Sequence, residues 1–158
     1  MNNLQLSALE HIKLWHEKTN PVASDDYVHR SISKHLEKTS NMLFSFRDVG
    51  RDFNTREQIG LSADVISHLQ RQIRAGRNGI ELVVEDIDTC TLAHNLCAQI
   101  VSVIGVAHSL KIDIVGALAE TAASYDTKYD SEGEPIFNDL NNPVNGPNYC
   151  SPDLTPYI

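Results

Sequence analysis

Three carboxylates, Glu81, Glu85 and Asp88, stand at i, i+4 and i+7 in the run Glu81-Leu-Val-Val-Glu85-Asp86-Ile-Asp88. On a helix this spacing lines them along one face, where like charges repel unless water, a basic partner or a cation offsets them. Hard ions such as Mg²⁺ or Mn²⁺ take carboxylate and water oxygens, and in a helical bundle a facing helix carrying Asp64 and His68 would supply further ligands. The plainer alternative is a solvated helix start whose acids favour the positive end of the helix dipole. The seven histidines do not extend the metal pattern. His94 and His108 share a helix face but stand about 21 Å apart at 1.5 Å per residue, and neither His11/His16 nor His29/His35 has the i, i+4 spacing of a zinc helix. They read as surface or hydrogen-bonded core histidines. Cys90, Cys97 and Cys150 form no C-x-x-C and are expected as buried, reduced thiols. No G-x-S-x-G, G-x-x-x-x-G-K or G-x-G-x-x-G occurs, which removes the usual warrants for a serine hydrolase, a P-loop enzyme or a Rossmann dehydrogenase.

The elements that must position these groups are helical. A chain of 158 residues with 41% apolar side chains and 22% charged ones fits a single globular domain, neither disordered nor membrane-embedded. Residues 1–77 carry 11 Lys/Arg against 9 Asp/Glu, whereas 78–158 carry Lys111 and Lys128 against 12 acids. A half with a net charge of −10 repels phosphate backbones, so nucleic acid is not expected as a partner, and a divalent-metal site gains weight. The opening Met1-Asn-Asn-Leu4 lacks a basic stretch followed by an apolar one, which points to the cytoplasm.

Ser7-x-x-Glu10 is a capping box for a first helix to about Lys18, and Ser24-Asp25-Asp26 opens a second with Val28, Ile32, Leu36 and Leu43 at helical intervals. Ser62 can cap a third, with Val65, Ile66, Leu69 and Ile73 as its apolar stripe and Gly76 as its stop. Ile80 to Leu110 is proline-free and apolar around much of its circumference, the pattern of a central, most buried helix, with Gly105 allowing close approach of a neighbour. Asp113 caps a fifth. Beyond Thr127, turn residues predominate, with Asp130-Ser-Glu-Gly133 and Asn145-Gly146 as turns. The expected fold is an all-α bundle of about five helices over 1–126, with an ordered, extended and turn-rich tail over 127–158.

The tail carries a family likeness. Thr127-Lys128, Gly133-Glu-Pro135-Ile136, Gly146-Pro-Asn-Tyr149 and Pro152-Asp-Leu154 resemble the C-terminal signature of the phosphoribosyl-ATP pyrophosphohydrolase-like branch of the MazG-like nucleotide pyrophosphohydrolases. His16-Glu-Lys18 resembles the family's first helix, and Ala107-His108 with Ile112-Asp113 resembles the turn between its last two. The resemblance implies hydrolysis of a nucleoside triphosphate to the monophosphate and pyrophosphate, with Mg²⁺ held by E-E-x-x-E on one helix and E-x-x-D on the next. It also implies a dimer or tetramer.

The middle of the chain departs from that pattern. No E-E-x-x-E exists; the second helix offers only Glu37, and the third offers Asp64 and His68. The E-x-x-D at Glu85–Asp88 lies six residues from the place the turn dictates, where Thr91 and His94 stand. The family's phosphate-binding N-x-x-K becomes Tyr125-Asp-Thr-Lys128, which keeps the lysine. The expectation is a MazG-like homo-oligomer with a degenerate active site that binds a nucleotide or a protein partner with little or no catalysis. The alternative is a metal-dependent nucleoside triphosphate pyrophosphohydrolase with Glu81, Glu85, Asp88 and Asp64 as ligands and Lys128 reaching a phosphate.

Overall fold

The computed structural model describes residues 7–20, 24–76, 79–80, 82–139 and 142–158. The fold class is the expected one: five α-helices, α1 Ala8–Thr19, α2 Asp25–Arg47, α3 Phe53–Arg74, α4 Thr89–Ser109 and α5 Ile114–Asp126, account for most of the described residues. Each start has a physical cause. Ser7 Oγ accepts from the Glu10 amide at 3.3 Å while the Glu10 carboxylate accepts from the Ser7 amide at 2.7 Å, which completes the capping box and holds the Glu10 carboxyl below its usual range. Ser24 caps α2 and Asp113 caps α5 at the expected places.

Two helix starts differ from expectation. α3 opens at Phe53, more than two turns before a cap at Ser62 would allow, because Asp52 caps it through the Thr55 amide at 2.8 Å. Ser62 instead donates to the Gln58 carbonyl one turn back, the mid-helix use of a serine hydroxyl. α4 begins at Thr89, not Ile80: Ile80 folds back to donate its amide to Gln72 at the end of α3, and Val84–Asp86 forms a single 3-10 turn.

The helices group into two compact units. One consists of α2, α3 and the segment that follows as far as Ile87. Its two helices form an antiparallel hairpin with a small, polar centre: Ser40, 1% exposed, donates to the Ala63 carbonyl at 2.9 Å and bonds the Ser67 hydroxyl at 2.7 Å, and buried Gln70 donates to Ser33 at 2.8 Å. Of the expected α3 stripe, Ile73 is buried, whereas Val65 and Leu69 are exposed. His29 is a satisfied core histidine. Its Nδ1 bonds the Asp25 carbonyl at 2.7 Å and its Nε2 accepts from the Leu82 amide at 2.9 Å, which fixes the neutral tautomer and ties the returning segment to α2.

The other unit holds α1, α4, α5 and the tail. α1 lies on α5 through buried Trp15, and His11 reaches Asp126 at 3.0 Å. The tail turns at Asp130, whose carboxylate accepts from the Glu132 and Glu134 amides, and Gly133 supplies the left-handed residue at φ +82°. A two-residue hairpin follows, β1 Ile136–Phe137 paired antiparallel with β2 Pro143–Val144. α4 is the main departure. Every residue from Thr89 to Ser109 except Ala107 is exposed, and a side chain at Gly105 would meet open space. The expectation of a central, most buried helix is therefore corrected within this unit: apolar composition predicts that a surface will be covered, and α1, α5 and the tail leave that of α4 open apart from Ala107.

Ala63 is fully buried between α2 and α3, where its carbonyl accepts from Ser40. Ala63→Leu should overpack that contact and lower unfolding stability by about 1–3 kcal/mol in a urea titration; an unchanged midpoint would refute the close packing of the hairpin.

Candidate functional site

The residues that converge lie in the unit of α1, α5 and the tail. α1 presents Trp15 and Lys18 one turn apart, and α5 with the residues just beyond it presents Tyr125, Lys128 and Tyr129. Trp15 packs between two tyrosines, with ring centroids 5.8 Å from Tyr125 and 5.3 Å from Tyr129 and both pairs tilted, the arrangement that ring quadrupoles favour. The Lys128 ammonium sits 3.9 Å from the Tyr125 ring centroid, 5.3 Å from Trp15 and 5.6 Å from Tyr149, while that of Lys18 lies 5.0 Å from Tyr129. Lys18 also donates to the Gly133 carbonyl at 2.6 Å and pairs with Glu134.

The tail closes this cluster. The Ser124 hydroxyl donates to the Cys150 carbonyl at 2.7 Å, the Cys150 amide donates to Thr127 Oγ1 at 2.9 Å, and the Asp113 amide donates to the Tyr157 carbonyl at 2.8 Å. Gly146 is buried against the backbone of Lys128 and Tyr129: a side chain there would come within 2.7 Å of the Tyr129 carbonyl oxygen. The two phenols differ in character. Hydrogen bonds from Ser151 and Ser124 hold Tyr149 below the usual phenol range, whereas burial, with Asp126 and Glu134 nearby, pushes Tyr129 above it. The cluster thus brings Lys18 of the first half of the chain and Lys128 of the acidic second half to one group of aromatic rings, a combination suited to a flat, anionic ligand.

The acids named from sequence are arranged differently. Glu81 lies outside the described residues. Glu85 stands exposed in the 3-10 turn and Asp88 at the N-cap of α4, so they do not share a helix face; Asp64 is exposed on α3. Both oxygens of Asp88 are engaged: Oδ1 accepts from the Cys90 and Thr91 amides at 3.0 and 3.1 Å, and Oδ2 accepts from the Thr91 hydroxyl at 2.7 Å, which keeps its carboxyl below the usual range. Glu37 is similarly held by Lys34 and Lys38. Among the described residues no three His, Cys, Asp or Glu side chains gather as a metal-holding group. The three cysteines are free thiols, as expected, but exposed, not buried.

Lys128 is legible in the sequence as a candidate, and its aromatic surroundings are not. The one signal for them is a repeated spacing, since Trp15-x-x-Lys18 and Tyr125-x-x-Lys128 place an aromatic ring and a lysine at i, i+3 on two different helical segments. Compared with known proteins, the chain matches no family model, no curated protein and no solved structure. The likeness to MazG-like proteins therefore rests on the residues quoted above.

Two outcomes follow. Gly146→Ala should push the tail off the Lys128–Tyr129 backbone, lowering stability by roughly 1–3 kcal/mol and shifting the emission of Trp15; unaltered emission and melting would contradict the close approach. Because the folded carboxyl of Asp88 titrates below its unfolded value, its cap contributes stability above the unfolded value and loses it as pH falls through the folded one. Asp88→Asn, which still caps, should make the acid limb of stability against pH shallower, and an identical acid limb would show that the cap bond carries no charge-dependent part.

Proposed function

We propose that this chain is a MazG-like binding protein that takes a nucleotide at the Lys128 cluster and turns it over slowly or not at all. The observation that carries the reading is the position of Lys128: the one lysine retained from the resembled phosphate-binding element stands among three aromatic rings from α1, α5 and the tail. Tyr125, Tyr129 and Tyr149 are half-buried, so a nucleobase would stack on the part of a ring that solvent reaches, and an ammonium attracts phosphate as a point charge. The acidic surroundings favour a nucleotide that brings its own Mg²⁺ or Mn²⁺, since such a complex carries less negative charge into a half with 12 acids and 2 lysines. Weak turnover follows from the same residues: in-line phosphoryl chemistry needs metals fixed by converging carboxylates, and Asp88 is occupied with capping α4.

Trp15 is the only tryptophan and lies within the cluster, so its fluorescence reports binding directly. Titration with a panel of Mg²⁺-bound NTPs and dNTPs should change it saturably for at least one nucleotide, and Lys128→Gln should weaken that response at least tenfold. Pyrophosphate assayed in the same mixtures should accumulate far more slowly than about 1 per second, below the ordinary enzymatic range. No response to any nucleotide at millimolar concentration would refute the binding reading; brisk metal-dependent pyrophosphate release would replace it with the enzyme.

A further inference from the structure

His29 is a titratable side chain buried inside the α2–α3 unit, 8% exposed, and both of its ring nitrogens are committed. The Asp25 carbonyl at 2.7 Å can only accept, so Nδ1 carries the proton; the Leu82 amide at 2.9 Å can only donate, so Nε2 is bare. A second proton has one place to go, the lone pair on Nε2 that the Leu82 bond occupies. Protonation in place would set two N–H donors head to head, buried where little water can separate them. The closed arrangement therefore excludes the proton, and an arrangement in which Leu82 has moved away admits it. His11 shows the opposite case, since it faces the Asp126 carboxylate at 3.0 Å and a proton strengthens that pair.

What the bond holds is a short and otherwise weakly attached segment. Ile80 is fixed by its amide to the Gln72 carbonyl at 3.0 Å. From Leu82 to Ile87 the backbone bonds stay local, from the Asp86 amide to Val83 and from the Ile87 amide to Val84. Among the described residues, the Leu82 bond to His29 is thus the one hydrogen bond that joins 82–87 to either helix. The charged groups on the elements that meet at the ring offer an imidazolium no ready substitute. Asp25, Asp26 and Arg30 on α2, Arg71 and Arg74 at the end of α3, and Glu85 and Asp86 in the 3-10 turn are all exposed, and Tyr27 is half-buried. Among the described residues no carboxylate pairs with the His29 ring; Glu81, beside Leu82 in sequence, lies outside them. We propose that His29 is a pH-operated latch: as neutral imidazole it holds Leu82 on α2, and on protonation it releases Leu82–Ile87 while Ile80 stays pinned to α3. Because the open form takes up a proton that the closed form excludes, a fall in pH favours opening and a rise favours closure.

Nitrogen-15 NMR of the full chain tests the latch, stepped from about pH 8 to about pH 5.5 to span the ordinary imidazole range and stay above the isoelectric point of about 5.2. The ring should be the Nδ1–H tautomer at the upper end. As it protonates, the Leu82 amide should shift with the same midpoint and lose hydrogen-exchange protection at least tenfold, measured against an unstructured chain at each pH, while Ile80 keeps its own. His29→Gln, which carries no titrating ring, should make the protection of Leu82 independent of pH over this range. The wild-type titration decides by itself should that variant not fold. A ring protonated on Nε2 at the upper end, a ring still neutral at the lower end, or a Leu82 amide that stays protected beside a charged ring overturns the proposal. So does joint loss of protection at Leu82 and Ile80, which is unfolding of the hairpin and not release of the segment, and so does a pH dependence that survives in His29→Gln.

Discussion

The unit of α1, α5 and the tail depends on the stacking of Trp15 between Tyr125 and Tyr129. α1 is twelve residues long, a length at which an isolated helix is marginal in water, so its stability comes from the face it buries. Trp15 provides most of that face and creates a rim of aromatic edge against which Lys128 and Lys18 can lie. Each ammonium then does two things. It stabilises the rings by cation–π attraction, and it fixes a piece of tail: Lys18 through the Gly133 carbonyl, Lys128 through its contact with Tyr149. A single aromatic anchor therefore governs the helix, the turn and the ligand surface together.

The hairpin of α2 and α3 solves its packing in the opposite way. Its three most buried positions are Ala63, Ser40 and Ser33, with Ile73 and Gln70 next, so the helices come close and exchange hydrogen bonds where larger apolar side chains would have held them apart. Such a centre gains little from the hydrophobic effect, but among the described residues every buried polar side chain is partnered, and an alternative register would leave hydroxyls and an amide unsatisfied. Specific pairing is bought with a modest core. The larger apolar side chains, Leu61 and Val65, are displaced to the outside of α3.

What sequence can show follows from the range of each signal. Caps are local, and Ser7, Ser24 and Asp113 are readable because a short polar side chain and the amide two or three residues on settle the matter by themselves. The start of α4 is not, because hydrophobic periodicity runs unbroken from Ile80 and contains nothing that marks the fold-back onto Gln72; Asp88 looks like a third acid on a helix face when it is the residue that begins the helix. The start of α3 is hidden because Ser62 has two uses for its hydroxyl and the sequence does not say which. The Lys128 cluster is half visible: the lysine comes from the tail, and Trp15 comes from an element more than a hundred residues earlier, a convergence that spacing along the chain cannot express.

The distribution of charge connects these observations. The acids of the second half are concentrated on either side of α4, in the segment Glu81–Asp88 and from Asp113 onward, while α4 itself is uncharged. If electrostatics alone set the arrangement, a helix flanked by acids would remain dispersed in solvent. Its Leu, Ile and Val side chains oppose that, since burying each fully contributes about 1.5–3 kcal/mol against well under 1 kcal/mol for a typical pair of solvent-exposed charges. The hydrophobic term wins wherever a partner surface is free of like charge. Composition supplies the attraction, and the carboxylates at either end confine it to the uncharged stretch Thr89–Ser109 between Asp88 and Asp113.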